Sequence, residues 1–143
     1  MRGATLAIVI ALVGCNDVRD FAGFWSGPRV GDSPAIRVGV ANDAQATLQI
    51  LKADRNGLQG RLTVEGLAQD QPIASIPGAE ADVLGSMSFA GSPLRVYMVF
   101  LPTIDGNGDA LAMIALYEDR RVEVRVLRGG TAQVYAIFAL VEV

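Results

Sequence analysis

Asn56-Gly57 stands between two runs in which apolar and polar residues alternate, and that pattern narrows the fold more than any other feature of the chain. In residues 46–53, Leu48 and Ile50 share a face opposite Gln49. In residues 58–66, Leu58, Leu62 and Val64 oppose Gln59, Arg61, Thr63 and Glu65. A period of two with one wet face is that of an antiparallel strand lying on a core. Asn-Gly between two such runs is the strongest short-range hairpin signal. Residues 21–27, 35–40, 83–89, 94–101, 122–126 and 134–143 supply further strand candidates between Gly-, Pro- and Asp-rich turns. Residues 110–117 are rich in Ala, Leu and Met and would also suit a helix capped by Asp109; strand is preferred. Residues 27–34 and 67–81, the latter carrying Pro72, Pro77 and Gly78, read as loops. Eight or nine antiparallel strands on short turns predict an all-β up-and-down meander. A small barrel is the favoured closure because it removes the sheet edges, and a two-sheet β-sandwich is the competitor.

The front of the chain has a different logic. Arg2 precedes an apolar run over 4–13 in which only Thr5 is polar, and the run ends in Leu12-Val13-Gly14-Cys15. Ten residues cannot span a bilayer, which takes about 20 in a helix, but they suit the apolar core of a secretory signal. Those last four residues resemble the lipobox of bacterial lipoproteins. The resemblance implies cleavage before Cys15, with a diacylglycerol and an N-acyl, palmitate-type chain placed on that cysteine. It divides the chain into a signal peptide over 1–14, a lipidated cysteine and tether over 15–20, and a single β domain over 21–143. The mature 129 residues of the 143 suffice for one packed core. The tether residues 16–20 reach at most about 18 Å, so the domain is expected to lie close to its membrane. Asn16, rather than Asp, after the cysteine points to the outer membrane; Asp17 blurs that sorting signal and keeps the inner membrane open, as is the choice of periplasmic or surface face.

Composition removes several classes of function. The sequence holds no histidine and one cysteine, so Ser-His-Asp and Cys-His triads, His-liganded metals and internal disulfides are all impossible. The net charge of −3 becomes −4 without Arg2 and disfavours nucleic acid. The acid pairs Glu80/Asp82 and Glu118/Asp119 sit among turn residues. Arg120, Arg121, Arg125 and Arg128 interleave with Glu118, Asp119 and Glu123, as on a charge-paired sheet surface. No enzyme is expected, and no cofactor beyond the Cys15 lipid.

Gly23-Phe24-Trp25 contains the only tryptophan and resembles the Gly-x-Trp that opens the first strand of the calycins, the lipocalin and avidin-like barrels. The resemblance implies that Trp25 closes one barrel end beneath an arginine from a late strand, either Arg125 or Arg128. It also implies a carrier of a small apolar ligand. Asp105-Gly-Asn107-Gly-Asp109 resembles the start of a calcium loop, with Asp105, Asn107 and Asp109 as oxygen donors. The twelfth position from Asp105 is Leu116 rather than Glu, which removes an EF-hand and leaves a glycine-rich turn or a weak calcium site. Residues 94–101, 110–117 and 134–141 are apolar on both faces. Central sandwich strands, a covering 67–81 loop, or an exterior covered by a partner or second copy would each account for that. The expected function is a lipid-anchored, non-enzymatic envelope domain that binds a protein partner or serves as an accessory subunit, with the small-ligand carrier as the alternative.

Overall fold

The computed structural model describes residues 17–31, 40–78, 91–104, 110–128 and 134–143. The sequence-based strands over 35–40 and 83–89, the Asp105–Asn107–Asp109 loop, and Cys15 lie outside or almost outside these residues. A short 3-10 turn, Val18–Phe21, precedes eight strands: β1 (Gly23–Val30), β2 (Gln45–Ala53), β3 (Leu58–Val64), β4 (Ala68–Ala74), β5 (Arg95–Leu101), β6 (Ala110–Leu116), β7 (Val122–Arg128) and β8 (Val134–Glu142). They form one antiparallel sheet in the order β4-β3-β2-β1-β8-β7-β6-β5. Since β8 returns to β1, the meander closes on itself, and its thin join falls between β4 and β5 rather than at the chain ends. A Ser75–Val99 bridge spans that join. The Ile76 N–H reaches the Met98 carbonyl at 2.8 Å, and the Ile104 N–H reaches the Leu67 carbonyl at 2.9 Å. The result is a nearly closed eight-stranded barrel, not a sandwich.

The hairpin over Asn56-Gly57 folds as its alternation requires. Asp54 Oδ1 accepts the N–H groups of Asn56 and Gly57 at 2.8 and 3.0 Å, fixing the turn. Leu48, Ile50, Leu58, Leu62 and Val64 all point inward. Of residues 110–117, Ala110–Leu116 form a strand paired along its whole length with β5 and β7. Their Ala and Met content does not override two neighbouring ladders.

Two prolines stand inside strands. Residues 67–81 are not one long loop, because β4 occupies 68–74 and pairs with β3. Pro72 is tolerated there because β4 is an edge strand, where a missing N–H costs little. Likewise β1 runs through Pro28 to Val30 instead of ending at Gly27. The β1–β8 register skips from Ser26↔Val141 to Arg29↔Phe138 without shifting, so the proline merely leaves a gap in the ladder. Gly27 is needed beside that gap: a Cβ there would stand 1.8 Å from the Ala139 carbonyl oxygen.

Among the described residues the barrel interior is filled. Trp25, Leu48, Leu62, Ile114, Leu116, Phe138 and Leu140 expose 0% of their surface. A void large enough for water would leave some of that surface accessible, so the inner layers interdigitate as a packed core does. Towards the far end the buried Arg29 donates from Nη1 to the Val40 carbonyl at 3.0 Å and to Asn42 Oδ1 at 3.3 Å. A second buried cluster lies on the outer face of β5–β7 and comprises Val96, Met98, Met113, Ala115, Tyr117 and Leu127. Of the two-sided apolar strands, β5 and β6 therefore bury most of both faces, whereas β8 buries its inner face and leaves Val141 exposed on the outer one.

Candidate functional site

The plugged end of the barrel is where the sequence features converge. The 3-10 turn lays Phe21 across the opening, its ring 5.4 Å from that of Trp25 and inclined by 21°. Trp25 Nε1–H donates to the Phe21 carbonyl at 2.9 Å, so the indole has both its apolar body and its polar edge satisfied. Arg120, in the turn from β6 to β7, places its guanidinium carbon 5.1 Å from the Phe21 centroid and 5.4 Å from the Trp25 centroid. Its Nη1 donates to the Asp20 carbonyl at 2.9 Å and its Nη2 pairs with Glu142 Oε2 at 2.7 Å. One side chain thus ties the 3-10 turn, β1 and the end of β8 together. Arg120 has φ 65, a left-handed conformation that non-glycine residues rarely adopt, and this turn geometry aims it at the rings.

The arginine over Trp25 is therefore Arg120, not Arg125. Val122, Val124 and Val126 fill the interior, so the odd-numbered residues of β7 face outward. Arg125 lies on that outer face, buried and hydrogen-bonded through Nε to Glu123 Oε1. Arg121 covers the Tyr117 ring at 4.1 Å beside this pair. The Tyr117 hydroxyl is buried with no hydrogen-bond partner among the described residues. Burial first, and the Glu123 carboxylate second, push this phenol above its ordinary value. The native phenol thus ionises at a higher pH than the unfolded one. Its contribution is complete below the unfolded value of about 10 and is lost as pH rises through the native value. Tyr117→Phe removes an unsatisfied buried hydroxyl and should change neutral-pH stability by less than about 1 kcal/mol, in either direction. Denaturant titrations across the alkaline range should show a shallower fall for the variant than for the natural chain. Parallel alkaline curves would mean that Tyr117 is not the titrating group.

Next to the plug lies a groove of about 860 Å³ lined by Asp17, Arg19, Lys52, Asp54, Arg55 and Arg95, with Leu94 at its edge. The β2–β3 tip forms one wall and is pinned to β5: Tyr97 Oη–H donates to the Asp54 carbonyl at 2.7 Å, and Arg95 Nη2 donates to the Arg55 carbonyl. Both acids of the groove are engaged locally. Hydrogen bonds from Arg19 hold the Asp17 carboxyl below its usual range, and the Asn56 backbone N–H is the main cause for Asp54.

Comparison of the chain with protein-family models, with curated proteins and with solved structures finds no match. Among the described residues no group of three or more Cys, Asp or Glu side chains is placed to hold a metal, and no helix is long and apolar enough to cross a membrane. Of the residues singled out by sequence, Trp25 stands at the plug and Arg125 stands away from it. Sequence reading missed Arg120, since nothing in 118–121 distinguishes an arginine aimed inward from one in a solvated turn.

Proposed function

We propose that this chain is a lipid-anchored, non-enzymatic β domain of the bacterial cell envelope that binds a protein partner on its outer wall. The packed interior carries the reading: with Trp25, Leu62, Ile114 and Phe138 fully buried, a partner is met on the outside of the barrel. A strip suited to that lies on β1 and β8. Phe24 (55% exposed) stands beside Val143, whose N–H donates to the Phe24 carbonyl at 2.9 Å, and Val141 (65% exposed) pairs with neighbouring Ser26. Apolar side chains adjacent on paired strands form a patch rather than scattered exposure.

The anchor rests on Leu12-Val13-Gly14-Cys15. Cys15→Ser should release the protein from membranes or leave its signal uncut, read by cell fractionation and intact mass. A variant still in the membrane fraction after signal removal would overturn the anchor. The wall is tested by a photo-crosslinking residue at position 24 in the source cell. A single heavier adduct, lost on Val141→Asp, is expected; no adduct at any growth stage would count against the strip.

The alternative is a calycin-like carrier of a small apolar ligand. What favours it is an arginine packed over Trp25, as the Gly23-Phe24-Trp25 resemblance implies, although Arg120 comes from the β6–β7 turn and not from a late strand. The filled interior weighs against it, and native mass spectrometry of protein from the source cell decides: a bound apolar mass would restore the carrier.

A further inference from the structure

We propose that the groove beside the plug docks onto an anionic phospholipid bilayer, so that the barrel stands on its membrane by this end. The proposal rests on the lipid-anchor reading. Where the chain enters the domain is the first argument. Asp17 lines the groove, and Cys15 stands two residues ahead of it, a reach of at most about 7 Å. A lipid held on so short a lead brings headgroups to this end, and not to the far end that carries Asp43 and Glu65.

Charge is the second argument. Arg19, Lys52, Arg55 and Arg95 face Asp17 and Asp54 around the groove, an excess of cations in a chain whose net charge is −3. Asp17 is paired with Arg19 at 2.7 Å, and Asp54 with Lys52 at 3.6 Å and with two backbone N–H groups, so both acids are neutralised locally and Arg55 and Arg95 remain as the excess. The Arg55 guanidinium, exposed at the tip of the hairpin, has no ion pair among the described residues. Leu94, 38% exposed, adds an apolar side chain to the lining, and Leu51, 59% exposed, precedes Lys52 in β2. Arginine and lysine at the phosphate level with leucines reaching below it is the composition of an interfacial membrane contact.

The full chain, purified from membranes with its own lipid, is placed in phosphatidylcholine vesicles with or without phosphatidylglycerol. A fluorophore is attached at Asn56→Cys or at Asp43→Cys, and a headgroup-labelled lipid quenches it. Stronger quenching at position 56 than at 43, increased by phosphatidylglycerol and weakened by salt, is expected. Lys52→Gln with Arg55→Gln should weaken docking about 25-fold, taking roughly fivefold per cation, while flotation with vesicles is retained. Flotation with equal quenching at both positions, or with no response to phosphatidylglycerol, overturns the docking and leaves the anchor standing. A groove occupied by a protein partner instead would leave the Asn56 label unquenched and overturn it too. Failure to float overturns the anchor and the docking with it.

Discussion

Trp25→Ala should cost about 3–5 kcal/mol and leave the domain at the edge of folding. The side chain is fully buried, stacks on Phe21, donates to the Phe21 carbonyl and carries Arg120 above it. Truncation removes the transfer free energy of an indole and leaves a cavity that the 3-10 turn cannot fill without losing its own hold on the barrel. A domain of this size has about 5–15 kcal/mol in all, so the loss is a large part of the total. Two lesser variants separate the contributions. Trp25→Phe keeps most of the volume and gives up the indole hydrogen bond, about 1 kcal/mol. Arg120→Met keeps a packed stem and gives up the cation–π contact and two hydrogen bonds, about 1–2 kcal/mol. Equilibrium denaturation should rank Trp25→Ala well below the other two. If Trp25→Ala lost less than Arg120→Met, the plug would owe its hold to the arginine and not to the indole.

How much of this was legible in the sequence follows from what each signal measures. Alternation reports which face of a strand is buried, so the β2–β3 hairpin and the inward residues of β7 could be read directly. The same parity also excludes Arg125 from the Trp25 stack. Val122, Val124 and Val126 are the core residues, and an arginine between them must point the other way. Proline reports a missing N–H, not the absence of a strand. At Pro72 the strand is an edge, and at Pro28 the ladder simply skips a pair, so both were hidden by a rule that holds only for fully paired backbone. Arg120 was not legible at all, because its aim is set by a left-handed turn residue and by the return of β8 to β1 from the far end of the chain. The groove shares that cause. It joins 17–19 and 52–56, neighbours through the β1–β2 ladder, to 94–95, which only closure of the barrel brings alongside.

Arg125→Met should be as damaging as the loss of the tryptophan plug, by a different mechanism. Arg125 and Glu123 are two residues apart on the outer face of β7, with side chains only 10% and 9% exposed. Around them lie the apolar side chains of Met98, Met113 and Leu127, with Tyr117 and the Arg121 guanidinium over its ring alongside. Removing one partner leaves a carboxylate in that setting, and breaking a buried pair in this way costs about 3–5 kcal/mol. Replacing both at once is another matter, since the desolvation of two charges is avoided and apolar side chains of similar volume repack. Glu123→Leu combined with Arg125→Met should therefore lie within about 1 kcal/mol of the natural chain, or exceed it. The double-mutant cycle isolates the coupling, and denaturant midpoints at neutral pH measure it. Additive losses in the double variant would mean that each residue is held by its own neighbours rather than by the other. The contrast with the exposed pair Arg61–Asp70, at 2.8 Å but 43% and 62% exposed, makes the point about environment. That contact, although made through three guanidinium hydrogen bonds to Asp70, is screened by water and worth about 0–1 kcal/mol, so Arg61→Met should move the same midpoint far less.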